Sequence, residues 1–311
     1  MTSGVRAAAL GLLLAMAAAG QALPKAVALK AQPIYLSPDA TSAKVGQVQP
    51  GLEIAIQAAS HDFVQVFVAS RGAGVSGWIA NQGYARFDDP EGAEVVFGAG
   101  VQFENLAESQ SGEEAAALDA ARLYTAVSND FPSSPRAAEA AYRGAYIPWE
   151  LHLSEEPHRR TPEERQFPDD TALRKVEGKF PGTPWAARAA FQLIVEHFTC
   201  GSWFDKPQCV EKEMDRYRDY VKQYPAGPFS AQAAFDALYR AAVAWTLYQR
   251  SGPHHDEGKA AHFRQEVADQ AATLRRAYPA TDWAARAALL AFNVAHGTPV
   301  ALPAETPLGG P

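Results

Sequence analysis

A twelve-residue pattern that occurs four times constrains this chain more than anything else in it, because a repeat has to be built from one small structural unit and its stacking. The copies are FPSSPRAAEAAY at 131–142, FPGTPWAARAAF at 180–191, YPAGPFSAQAAF at 224–235 and YPATDWAARAAL at 278–289. Each reads as the same device. An aromatic residue closes one helix, proline stops it, a small polar turn follows, and Pro or Asp opens the next helix in its first turn. The alanines then fall in register. Ala138, Ala187, Ala231 and Ala285 hold one position, and Ala141, Ala190, Ala234 and Ala288 another three residues on. This predicts one face of each second helix as a seat for a neighbouring ridge.

The residues before the first copy are helical in period. Ala117, Ala120, Ala121, Tyr124, Val127 and Phe131 share a face only at 3.6 residues per turn. With the aromatic-Pro-small ending of each unit, residues 113–296 resemble the tetratricopeptide family, in particular the periplasmic members that serve outer-membrane assembly and cell division. The resemblance implies an antiparallel helix-pair solenoid presenting a binding surface. The chain departs from the family in spacing: its copies start 49, 44 and 54 residues apart, against about 34 for a standard unit. The turn inside each copy is constant, so the extra residues belong to the other connection, at 154–169, 200–209 and 251–258, all at one edge of a stacked array.

Upstream, the period changes to two. Leu52, Ile54 and Ile56 alternate, as do Val64, Val66 and Val68, with Gly72-Ala73-Gly74 as a turn before Gly77-Trp78-Ile79. About five short strands fit this length. The segment resembles the bacterial SH3 family in Pro33-Ile34-Tyr35-Leu36-Ser37-Pro38-Asp39, Val45-Gly46, Pro50-Gly51 and Gly77-Trp78-Ile79, with Phe63 where tryptophan is frequent. That resemblance implies a small β-barrel. Tyr35, Phe63 and Tyr84 are candidates for an aromatic binding groove, although Tyr35 and Tyr84 would serve equally as core, and Trp78 reads as barrel filling. The expected organisation is therefore an export signal at 1–22, an SH3-like barrel at 23–88, a linker at 89–112 with one added strand at Glu94–Phe97, a helical repeat domain at 113–299 and a tail at 300–311.

Compartment and chemistry are partly legible. Arg6, an Ala- and Leu-rich core over 7–19 and small residues ending at Ala22 have the order of a cleavable secretory signal, too short for a bilayer span. A periplasmic or secreted protein without a transmembrane segment follows. A formal net charge of −7 argues against a nucleic-acid partner, which needs clustered cations. No Gly-rich phosphate loop, Gly-x-Ser-x-Gly elbow or His-Glu-x-x-His helix occurs in the sequence. The expected function is accordingly non-catalytic and without a cofactor: recruitment of a protein or a peptidoglycan or peptide partner in the cell envelope. The alternatives are a structural envelope protein, a cell-wall hydrolase or a metal-binding protein. His254-His255-Asp256-Glu257 with His262 could ligate a metal, but a polar loop opening a helix accounts for the same residues.

Trp203 and Phe204 lie between the only two cysteines, Cys200 and Cys209, and complete the candidate binding residues. In an oxidising compartment such a close pair bonds. Closing a loop of this size should stabilise the chain by about 2–3 kcal/mol. Mass spectrometry of the exported protein should find both thiols blocked under non-reducing conditions, and two free thiols would refute the pairing.

Overall fold

The computed structural model describes residues 23–69, 74–109, 114–155, 169–196 and 207–300. Seven short strands come first: β1 (Lys25–Ala28), β2 (Gln32–Tyr35), β3 (Lys44–Val48), β4 (Glu53–Ser60), β5 (Phe63–Val68), β6 (Val75–Ala80) and β7 (Tyr84–Arg86). Among the described residues nine helices follow: α1 (Gly92–Ser109), α2 (Glu114–Asp130), α3 (Ala137–Glu155), α4 (Thr171–Lys179), α5 (Pro184–Glu196), α6 (Pro207–Gln223), α7 (Ser230–Gln249), α8 (Glu257–Ala277) and α9 (Asp282–Ala295). None of the described helices is long and apolar enough to cross a membrane.

The strands form one antiparallel sheet in the order β3-β2-β6-β5-β4-β1-β7. Alternation works as the sequence implies: Val64, Val66 and Val68 are buried with Ile34, Val48, Ile54 and Ile79 in the core of the sheet. Gly77 is required there, since a Cβ would come within 2.6 Å of the Tyr35 carbonyl oxygen. The expected closed barrel is not formed, because β3 and β7 stand at opposite ends of the order and do not pair. The reason lies at the β1–β7 end. Ala26 and Ala28 face the core of the sheet, whereas Val27 and Ala85 point the other way and are buried with Val96, Leu123, Tyr124 and Val127 of α1 and α2. That end of the sheet spends its apolar surface on the helices instead of on closure.

The junction is tight. Gly51, at φ +80°, lies so near α2 that a Cβ would meet the backbone of Arg122 at 2.6 Å, and the Arg122 Nε donates to the Pro50 carbonyl at 3.3 Å. The stretch expected as a linker with an added strand is α1. Val96, Phe97 and Gly100 form its buried stripe, and Gly100, a poor helix former, is present because the Tyr124 ring occupies the space of a side chain, 2.8 Å from a built Cβ.

All four copies of the repeat adopt one geometry. The N–H of the leading aromatic closes the preceding helix onto the carbonyl four residues back, at 3.1 Å for Phe131, 3.0 Å for Phe180 and 2.8 Å for Tyr224 and Tyr278. The aromatic carbonyl then accepts from the N–H three residues on: Ser134 (2.9 Å), Thr183 (3.3 Å), Gly227 (3.0 Å) and Thr281 (3.2 Å). Thr183 and Thr281 also accept from Ala186 and Ala284 as side-chain caps of α5 and α9. The turns join α2 to α3, α4 to α5, α6 to α7 and α8 to α9. Contacts that pair Arg143 with Tyr124, Arg240 with Glu213 and Arg264 with Ala295 show the first, third and fourth pairs running antiparallel.

The small residues act one position earlier than the sequence suggested. Ala140, Ala189, Ala233 and Ala287 are 0% exposed, and Ala137, Ala186, Ser230 and Ala284 are buried a turn before them. Of the expected positions only Ala187 is buried; Ala138 and Ala231 are half-buried and Ala285 is exposed. Both sets have the same spacing of three, and a shift of one residue rotates the face by about 100°. In the first unit the seat extends to Gly144, where a Cβ would lie 2.8 Å from the Thr125 hydroxyl of α2. Between units a ring contact recurs. The last residue of each motif meets the sixth residue of the next, as Tyr142 with Trp185 (5.7 Å between centroids), Phe191 with Phe229 (4.5 Å) and Phe235 with Trp283 (5.2 Å).

Overpacking a filled seat costs about 1–3 kcal/mol. Ala233→Leu should lower the stability of the chain by that amount in denaturant unfolding, and Ala231→Leu by clearly less. Equal losses would refute the shifted register.

Candidate functional site

Strand alternation gives the sheet a second face that the described helices leave uncovered. Opposite the buried Ile34, Val64, Val66 and Ile79 stand Tyr35 on β2, Phe63, Gln65 and Phe67 on β5, and Ser76 and Trp78 on β6. Register brings them together. Tyr35 is directly opposite Trp78 across β2 and β6, and Trp78 is directly opposite Gln65 across β6 and β5. The rings of Tyr35 and Phe63 meet edge to face, 6.1 Å between centroids at 87°. Phe67, four residues along the same strand, is 39% exposed, and Leu36 beyond the end of β2 is 66% exposed.

Two of the expected groove residues, Tyr35 and Phe63, therefore meet. Tyr84 does not join them. It lies on the far edge strand β7, packs against the core of the sheet and donates its hydroxyl to Asn81; burial pushes its phenol up from the ordinary value, with Arg86 opposing. Trp78, expected as barrel filling, is half-buried on the outer face. The signal for this was present: Gly77 and Ile79 point inward, so the residue between them has to point out.

Trp203, Phe204 and Cys200 fall outside the described residues, as do most of the first two inserted connections. Cys209 is half-buried in the first turn of α6. The third connection is described. Asp256 caps α8, its carboxylate accepting from the Lys259 N–H at 2.9 Å, as the helix-opening reading of this loop implies. His255 and Glu257 then border a groove of about 490 Å³ between α7, α8 and α9, with Trp245, Gln249, Arg264 and Gln265 on its walls. Among the described residues no three His, Cys, Asp or Glu side chains gather closely enough to hold a metal ion.

The charged groups away from the aromatic face bind elements to one another. On α7 the Arg240 Nε donates to Glu213 of α6 at 2.7 Å, and its guanidinium lies over the Tyr217 ring at 4.4 Å. Asp236 beside it is raised to about 6 by burial, against the pull of Arg240. At the sheet–helix junction Asp130 is also raised to about 6, first by burial and then by Glu53, while Lys25 opposes. No protein-family model matches this chain, and no curated protein is similar to it.

Aromatic rings on an open sheet face offer an apolar, hydrogen-bonding surface at low entropic cost, and they contribute less to the fold than the side chains beneath them. Ile79→Ala, which empties core volume, should cost about 2–5 kcal/mol in unfolding experiments. Trp78→Ser should cost much less. A larger loss at Trp78 than at Ile79 would return Trp78 to the core.

Proposed function

We propose that this chain is an exported, non-catalytic binding or scaffold protein of the cell envelope that recruits a protein or peptidoglycan-peptide partner. The observation that carries the proposal is the outer face of the sheet, where Tyr35, Phe63 and Trp78 stand together on adjacent strands β2, β6 and β5. Rings presented on rigid strands suit an extended peptide or a peptide-bearing glycan, because little freedom is lost when it docks. The sequence resemblance of residues 33–79 to bacterial SH3 domains and of residues 113–296 to tetratricopeptide units supports the same reading, as does the secretory pattern of residues 1–22. A Cys200–Cys209 bond would fit that compartment and hold Trp203 and Phe204 ready for contact. The inserted connections form the second contact in this reading, and the groove beside His255 marks their described end.

The test is capture by the chain lacking only residues 1–22 from an envelope extract and on purified cell-wall sacculi. The parent should retain a partner or cosediment with sacculi, and the Tyr35→Ser/Trp78→Ser double variant should bind at least about tenfold more weakly while keeping its fold. Undiminished binding by the folded double variant would overturn the proposal. Loss in Trp203→Ser/Phe204→Ser alone would place the contact at the inserted edge instead.

A further inference from the structure

The array of helix pairs ends differently at its two ends. At the front α1 covers the first pair, and Arg136, the sixth motif residue, lies over the Phe97 ring at 4.8 Å and pairs with Glu94. At the back no described residue plays that part. The twelfth motif residue is buried in the first two units, as Tyr142 and Phe191, and in tilted ring contact with Trp283 in the third, as Phe235. In the fourth it is Leu289, 62% exposed. Three residues on, Ala145 and Leu238 are buried in earlier units, whereas Phe292 is 59% exposed. The last helix thus carries a face that earlier units use between themselves and that the described residues leave exposed here. Solenoids need a polar outer face on the terminal unit to remain soluble alone.

Asp282, Arg286, Leu289, Phe292 and His296 follow one another at three- and four-residue steps, so they form a single stripe along α9. Its chemistry is complementary to itself when reversed. A helix laid antiparallel across the stripe with Leu289 opposite Leu289 sets Arg286 against Phe292 and Asp282 against His296. These are a cation against an aromatic ring and a carboxylate against an imidazole. The pairing also opposes the two helix dipoles favourably, N-terminus to C-terminus.

We propose that α9 is the interface of a two-fold symmetric dimer, its bare stripe covered by α9 of a second copy in antiparallel register centred on Leu289. A closed two-fold contact uses the same patch on both copies, so it consumes the open end without starting a filament. Head-to-tail growth is blocked, because the front of the first unit is already covered by α1.

Sedimentation of the chain lacking residues 1–22, over a concentration series, should show a reversible dimer. Leu289→Glu and Phe292→Glu change exposed positions and should weaken it at least about tenfold, with helix content retained by circular dichroism. In a separate experiment Leu289→Cys should cross-link to a covalent dimer on mild oxidation, because the axis passes beside it, and Asp282→Cys should not. A parent that is monomeric at every concentration, or a dimer indifferent to Leu289→Glu, would overturn the proposal. So would a monomer that becomes a dimer only on deletion of residues 301–311, an outcome that would assign the stripe to the chain's own tail.

Discussion

The hydrogen bond from the N–H of Ser134, Thr183, Gly227 or Thr281 to the aromatic carbonyl three residues earlier is the point on which the helical half of the molecule turns. It fixes the angle at which each first helix gives way to its second. Proline beside it prevents the first helix from running on. With the angle set, the fully buried alanines at 140, 189, 233 and 287 let the helices approach closely, and the recurring ring contacts Tyr142–Trp185, Phe191–Phe229 and Phe235–Trp283 join each pair to the next. A single such bond contributes only about 0.5–1.5 kcal/mol net. Its influence comes from repetition, since every stacking contact depends on the same entry angle.

What was legible in the sequence was local chemistry. An aromatic-proline turn states its conformation within a few residues, so all four turns, and a helix opening at residues 254–257, could be read directly. The phase of the alanine face could not. In Ala-Ala-x-Ala-Ala, either of two registers offers small residues three apart, and only the neighbouring helix decides between them. Residues 92–109 misled for a related reason: Val95-Val96 and Gly98 with Gly100 have strand and turn character, yet Gly100 serves the Tyr124 ring of α2, a partner that no local pattern names. The openness of the sheet is likewise a tertiary result, because Val27 and Ala85 could have faced a barrel as easily as a helix.

The outer face of the sheet and the end of the array then follow from what the core consumed. Residues 34, 64, 66 and 79 turn inward and leave Tyr35, Phe63 and Trp78 on a surface that no described helix covers. In the same way the front unit is finished by α1 and the last unit is left with Leu289 and Phe292 outside. Both surfaces are apolar remainders of a fold that satisfies itself elsewhere, and exposed apolar patches of this kind mark contact sites. The sheet face suits a flexible ligand, whereas the α9 stripe matches a helix.

Amide hydrogen exchange resolved to single residues tests the repeated turn most directly, because the four donors can be followed in one experiment. The N–H groups of Ser134, Thr183, Gly227 and Thr281 should all be protected well beyond exposed-turn rates, and Ala233→Leu should lower protection at Gly227 first. Free exchange at these four amides while the flanking helices stay protected would contradict the claim that one hydrogen-bonded turn, used four times, builds the array.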